Sequence, residues 1–549
     1  MTARILHAST PSAVTMLAAM ADAGCFAEAG RRILLLSRTD GPAPETVPDP
    51  AESAGFARLR TRFDEVVSWN DAIFPFHPDG WLPRADDVPL WERHFRRAWG
   101  LGDEEVELVV ESPHAGPAQS LTRIFAGVPI DVYADGPACY GPTGGRVPPL
   151  TGTRVRRLFH PDLVPGLRPL LLGEYGVEAR AVPSAALLKV VAELADVPVE
   201  LPEAEAPALL LGQRLAAPGL LSPAEAAEVR LDMVRGAVAL GHTRLVFAPD
   251  PDGVVGGGAV PGGAVEGGAV PGGAVEGGAV EGGAVPGRSG GGGVVGGRSE
   301  GDVAAMAAEA ARLGAELTVL DASVPVAAGV LLHRLRPALV VGCSSAALFT
   351  AAGPHGLPVA TVGTGLLLER LAPYENAERV PATIADALLP GLRDAGSASG
   401  SAPGTEVGAD TRTGSGSDAG TEAEAEVRTE AEARADTCTG PARSPRTEAE
   451  AEARVQADTR VRADTNALLA AVAFAMQPRV RPDLRPAAEA YLSSRLDDHT
   501  WRYFKRRRLA SLALPGAVPA RLAFLRRSPA LRRVARRARA LKALRAPLA

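Results

Sequence analysis

Arg244-Leu245-Val246-Phe247-Ala248-Pro249-Asp250-Pro251 is an apolar run closed by two prolines around an acid. The run reads as a buried parallel strand. In an open α/β sheet, ligands sit just beyond the carboxyl ends of the strands. A Pro-X-Pro at that point fixes the backbone sharply, because each ring locks φ. Asp250 is therefore aimed at a binding crevice, and Pro251 borders it.

Outward from this stretch the same plan repeats. Apolar runs at 207–211, 316–320, 337–342 and 358–361 alternate with helical patterns near 223–241, 302–314, 326–334 and 345–352. Such alternation indicates a parallel sheet covered on both faces. Before it, runs at 4–8, 32–36, 64–68, 106–111 and 129–134 alternate with helical patterns at 11–24, 89–99 and 117–126. The expected fold is α/β, with Rossmann-like domains over 1–195 and 207–392 joined by a Pro/Glu/Ala linker at 196–206. Two such domains facing one another leave a cleft, where small-molecule sites are favoured.

Two insertions interrupt the plan. Over 253–299, Gly-Gly-Ala-Val recurs at 257, 262, 267, 272, 277 and 282. Gly is entropically costly to order and Ala and Val bury little, so this segment is expected to be disordered. Over 394–463, Thr-Glu-Ala-Glu-Ala recurs at 421 and 447 with almost no apolar face, which predicts the same. Helical patterning returns in the extension 464–549, first as a helix pair over 466–492 that crosses back towards the first domain.

The chain has 549 residues and a net charge of -6, yet its last 49 residues carry only basic charge. Trp501-Arg502-Tyr503-Phe504-Lys505-Arg506-Arg507-Arg508 and the Arg-rich helical pattern beyond Pro529 read as an amphipathic segment for an anionic membrane surface, spanning 501–545. A solvated basic helix and a nucleic-acid contact are the other readings. No apolar run is long enough to span a membrane, and the first residues look like a strand rather than a signal peptide; the expected location is cytoplasmic. Cys25, Cys139, Cys343 and Cys438 lie far apart without metal-ligand spacing, so no metal site is expected.

Two stretches carry chemistry. In Asp131-Val132-Tyr133-Ala134-Asp135-Gly136-Pro137 a strand ends in an acidic turn. A carboxylate beside glycine can approach a hydroxyl and act as general base, although Asp-Gly is equally a common turn. In Val340-Val341-Gly342-Cys343-Ser344-Ser345 a buried strand runs into two hydroxyls that open a helix. Serine there is a cap, and the same place binds phosphate. His7, at the end of the first strand, is a candidate acceptor contact, and His242 is a weaker candidate beside the 244–248 strand; both also read as structural. His77 and His114 follow strands without an assignable role.

These stretches together resemble the bacterial alpha-2,8-polysialyltransferase-like glycosyltransferase family, in particular its GC-rich actinobacterial branch. The resemblance covers about 1–252, 301–392 and 464–545. It rests on Val66-Val67-Ser68-Trp69-Asn70, Phe76-His77-Pro78-Asp79-Gly80-Trp81, 84–93, 131–137, Leu209-Leu210-Leu211-Gly212-Gln213, Gly241-His242-Thr243-Arg244, 337–345 and 501–508. It implies a GT-B fold and inverting, metal-independent transfer of sialic acid, or a related nonulosonic acid, from a CMP-sugar to a glycan acceptor, with no cofactor. It further implies Asp135 as the base, with Gly136 beside it, and Ser344 and Ser345 at the CMP phosphate, with Gln213 bordering the donor.

The sequence departs from that family in two places. Ala134 replaces the first acid of the base motif, and Asp250-Pro251 stands where His-Pro is expected. A carboxylate beside the leaving phosphate repels it, by about 1 kcal/mol at 4 Å in water and more at lower dielectric. Three readings follow: a sialyltransferase-like enzyme, intact or impaired by Asp250, held at the inner membrane face; a catalytically inactive paralogue binding CMP, glycan or a partner enzyme; and, from the basic tail, a nucleic-acid binder.

Overall fold

The computed structural model describes residues 2–26, 30–39, 44, 49–145, 147–198, 201–202, 205–213, 215, 220–249, 295–320, 327–394, 445–496 and 500–516. Asp250, Pro251, Cys438, most of both insertions and the tail beyond 516 lie outside the described residues.

The described strands form two sheets. The first contains β1 (Thr2–Ala8), β2 (Arg31–Leu36), β3 (Glu65–Ser68), β4 (Glu105–Val110), β5 (Ile130–Tyr133), β6 (Val155–Pro161) and β7 (Glu178–Val182), in the order β3-β2-β1-β4-β5-β6-β7. The second contains β8 (Ala208–Leu211), β9 (Arg244–Ala248), β10 (Glu316–Val319), β11 (Leu339–Gly342) and β12 (Val359–Thr361), in the order β10-β9-β8-β11-β12. The paired strands are parallel in both sheets. The strand order reverses between β1 and β4 and again between β8 and β11, and these reversals are where a doubly wound sheet opens a crevice. The expected two Rossmann-like domains are thus present.

The central strands of the second sheet, β8 and β11, are apolar because helices cover both faces. Leu209, Leu210, Val340 and Val341 are fully buried. Buried charge in the first sheet is paired: Asp131 on β5 meets Arg157 on β6 at 2.6 Å and Arg156 at 3.1 Å, and Arg4 on β1 bonds Glu107 on β4. Asp131 is therefore a framework residue, since an unpaired buried carboxylate is costly.

The domains meet along their carboxyl edges. Cys139, Tyr140, Leu163 and Leu167, from loops after β5 and β6, join the core of the second domain, and Ala134 packs against it. Gly353 lies so close to the Leu163 carbonyl that an added Cβ would sit 2.3 Å from its oxygen. The helix Pro445–Met476 crosses back to the first domain, where Asn466 bonds the Gly166 carbonyl and the Arg168 amide, and Gln477 bonds the Gly144 carbonyl.

Several expectations need correction. Helices begin at Val295 and at Pro445, inside the stretches expected to be disordered. β6 and β7 are additional strands, as is the helix Ser184–Ala195. The segment 501–516 is not a free amphipathic surface. Tyr503 and Phe504 are buried in the second domain, and Tyr503 bonds Asp386 at 2.8 Å. Lys505 donates to the Leu371 carbonyl, while Arg508 donates to the Ala475 and Met476 carbonyls and pairs with Glu375. These cations close helix ends and connections within the fold. No helix among the described residues is long and apolar enough to cross a membrane.

Candidate functional site

The loop after β5 delivers Asp135 and Gly136 to the cleft. Asp135 is exposed while Tyr133, two residues earlier, is fully buried. Strand alternation and burial hold the strand end, so the acid is presented by a fixed backbone. Gly136 is extended (φ -146°), which any residue adopts. A Cβ there would lie 3.7 Å from the Ala346 Cβ, so the Asp135-Gly136 turn lies directly against the start of the helix Ala346–Ala352 in the other domain.

That helix start carries the two serines. Ser345 caps it, its hydroxyl accepting from the Ala347 amide at 3.1 Å. Ser344 is tied to Gln213: its amide donates to Oε1 at 3.1 Å, and Gln213 Nε2 donates to its hydroxyl at 3.1 Å. Gln213 follows β8 and Ser344 follows β11, so this pair spans the strand-order reversal of the second sheet. Both serines are buried and Gln213 is half-buried. Thr364 adds a bond to the Cys343 carbonyl at 2.8 Å, fixing the turn from behind. Cys343 and Cys139 are buried thiols raised in pKa by burial.

The matching reversal in the first sheet holds residues that the sequence reading missed. Glu111, just past β4, accepts from the Ser9 amide and the Ser9 hydroxyl, both at 2.7 Å, and from the Tyr133 hydroxyl at 3.1 Å. Burial raises its pKa despite these donors. The available signal was an apolar strand, 106–110, ending in a carboxylate, the same pattern that drew attention to Asp135. His114, three residues on, approaches the Ser112 hydroxyl at 3.0 Å, and burial lowers its pKa.

His7 does lie at the carboxyl end of β1, but it is buried rather than facing a ligand. Its Nε2 sits 2.9 Å from the Ser37 hydroxyl, and burial pushes its pKa down to about 4, leaving a neutral ring. His242 is not in the cleft. It precedes the five-residue β9, so the strand's length, roughly 16 Å, separates it from the carboxyl edge. It cannot stand in for a histidine at position 250. Among the described residues no three His, Cys, Asp or Glu side chains are grouped to hold a metal ion.

No protein-family model matches the chain, and no curated protein does. Among solved structures it is similar to the GT-B domain of a sialyltransferase from Photobacterium damselae (12% identity, TM-score 0.31, 64% of this chain and 88% of that one). A glycosyltransferase from Rickettsia africae is similar at 9% identity, TM-score 0.27, over 62% and 72%. A UGT transferase from Siraitia grosvenorii in complex with UDP is similar at 12% identity, TM-score 0.31, over 90% and 100%. Overlaps this loose carry no argument about chemistry. What the chain itself displays is two parallel-sheet α/β domains that bring the Asp135-Gly136 turn of one against the start of the helix that follows Ser344 and Ser345 in the other.

Proposed function

We propose that this protein is an inverting, metal-independent glycosyltransferase that moves a sialic acid, or a related nonulosonic acid, from a CMP-sugar to a glycan hydroxyl. The observation that carries this reading is the approach of the Asp135-Gly136 turn to the Ser344-Ser345 helix start across the domain interface. On this reading the base comes from one domain and the phosphate cradle from the other, and a single displacement between them would invert the anomeric centre.

Asp135 takes the proton of the acceptor hydroxyl as its oxygen attacks the anomeric carbon. The bond to the CMP phosphate breaks, and negative charge grows on that phosphate. Gln213 Nε2, the Ser344 amide and the Ser344 hydroxyl are neutral donors suited to such charge. They satisfy one another in the absence of donor, so the phosphate takes the place that Gln213 Oε1 holds against the Ser344 amide. Ser345 keeps the turn in shape as a cap. The enzyme works in the cytoplasm at the inner face of the membrane, and needs no cofactor besides its substrates.

Ala134 and Asp250 favour a second reading, an inactive paralogue that binds CMP, glycan or a partner enzyme. The discriminating experiment is transfer from CMP-sialic acid by wild type, Asp135→Asn and Asp250→His. Transfer by wild type that Asp135→Asn removes supports the enzyme. Rescue only by Asp250→His identifies a decayed one. Absence of transfer from all three, with CMP still bound, establishes the binding protein.

A further inference from the structure

Four of the large apolar side chains exposed among the described residues fall within one short stretch of the first domain. Phe74 is 79% exposed, Phe76 48%, Leu82 41% and Leu90 67%. They bracket one aromatic cluster: Phe76 stacks on Trp81 at 5.6 Å, Trp81 meets Trp91 edge-on at 4.8 Å, and Trp91 rests on the buried Phe95 at 5.5 Å. A solvated loop has no need of this. Contiguous exposed apolar surface marks a place where something docks.

The helix Val88–Ala98 says what docks. Its inward face holds Trp91 and Phe95. Its outward face, at positions i, i+3, i+4 and i+7, presents Leu90, Arg93, His94 and Arg97, all exposed. Arg93, Arg97 and the nearby Arg84 form no ion pair with any described residue, whereas the helix's acid, Glu92, is paired with Arg96 at 3.0 Å. Asp86 and Asp87 lie in the turn before the helix, at its positive end. An exposed aromatic and aliphatic rim beside a cationic helix face matches the water–lipid boundary of an anionic bilayer.

We infer that the face formed by Phe74, Phe76, Leu82 and Leu90, with Arg93 and Arg97 beside them, seats the protein on an anionic membrane surface. This face belongs to the first domain, whose 76–82 loop packs on the segment following Glu111: an added Cβ on Gly116 would meet the Asp79 carbonyl, and Ser120 bonds the Trp81 carbonyl. It therefore lies beside the acceptor side of the cleft. Local acids leave the net charge small, so insertion of the apolar groups dominates binding and the arginines set lipid preference.

The test is co-sedimentation of the full chain with vesicles of phosphatidylcholine alone and of equal parts phosphatidylcholine and phosphatidylglycerol. Wild type binds the mixed vesicles. Phe74→Ser/Leu90→Ser lowers its partitioning about tenfold or more, with an unchanged thermal midpoint because both side chains are exposed. Arg93→Glu/Arg97→Glu erases the preference for phosphatidylglycerol. Wild-type binding by the Phe74→Ser/Leu90→Ser chain overturns the inference and assigns any membrane contact elsewhere. No vesicle binding by wild type also overturns it, and concentration-dependent dimers abolished by the same pair of substitutions would then identify a second copy as the occupant.

Discussion

Across β1 and β4, the strand-order reversal of the first sheet is bridged by a half-buried carboxylate, Glu111, gripped by Ser9 and Tyr133. Across β8 and β11, the same position in the second sheet is bridged by a neutral amide and hydroxyl, Gln213 and Ser344. The backbones offer equivalent crevices, but the side chains make them different. A phosphate 4 Å from an ionised Glu111 would meet repulsion of about 4 kcal/mol at the effective dielectric near a protein surface. Beside Gln213 and Ser344 it meets neutral groups, among them the donors Gln213 Nε2 and the Ser344 amide. The first crevice holds a carboxylate already engaged by the Ser9 amide and hydroxyl, the second holds neutral groups, and on the proposed reading the base stands one strand over, at Asp135.

The largest effect expected of breaking this division is at Asp135. Asp135→Asn should lower the transfer rate by about 1,000-fold, equivalent to about 4 kcal/mol, while CMP affinity measured by calorimetry stays at the wild-type value. An equal loss of CMP binding would mean that the acid belongs to the donor side instead.

Next comes the buried histidine at the end of β1, beside the first crevice. The pKa of His7 is about 4 in the fold against an ordinary 6.5. Its folded pKa is lowered, so the unfolded chain takes up the proton first as pH falls. Stability is therefore full above pH 6.5 and declines towards pH 4, by about 3 kcal/mol from this group. Denaturant midpoints at pH 7, 5.5 and 4 should fall more steeply for wild type than for His7→Gln; parallel curves would show that the ring is not the desolvated group.

Glu111→Ala should destabilise the protein by about 2 kcal/mol, because the Ser9 amide and hydroxyl lose a charged acceptor, while the Tyr133 hydroxyl keeps the His7 carbonyl at 2.8 Å. Gln213→Ala should cost less than about 1 kcal/mol, since its bonds to Ser344 join neutral groups. Reversed magnitudes would undo the contrast between a structural crevice and a binding one.

Much of this arrangement is legible in the residues. The apolar runs ending in Asp135 and Ser344 identify both strand ends, and alternation with helices gives two parallel sheets. β6 and β7 escape because they carry little apolar signal: Val155-Arg156-Arg157-Leu158 mixes in two arginines that pair with buried acids, and β7 is an edge strand exposed at Glu178–Ala181. His242 misleads because proximity in sequence to β9 hides which end of the strand it occupies. The 501–508 segment misleads for another reason. Its composition suits a membrane surface, but its cations find carbonyl oxygens within the second domain and its aromatics find a core. Composition records the residue types, whereas the partners come from distant chain segments, 32 and 33 residues away for Arg508 and 134 for Lys505.

The most direct measurement is isothermal titration of CMP into wild type and Ser344→Ala. If the Gln213–Ser344 bridge is the phosphate site, wild type binds CMP and Ser344→Ala binds about tenfold more weakly, a change of about 1.4 kcal/mol, with its thermal midpoint nearly unchanged. Identical affinity in the two proteins, or no binding to either, contradicts the assignment of the second crevice to the donor.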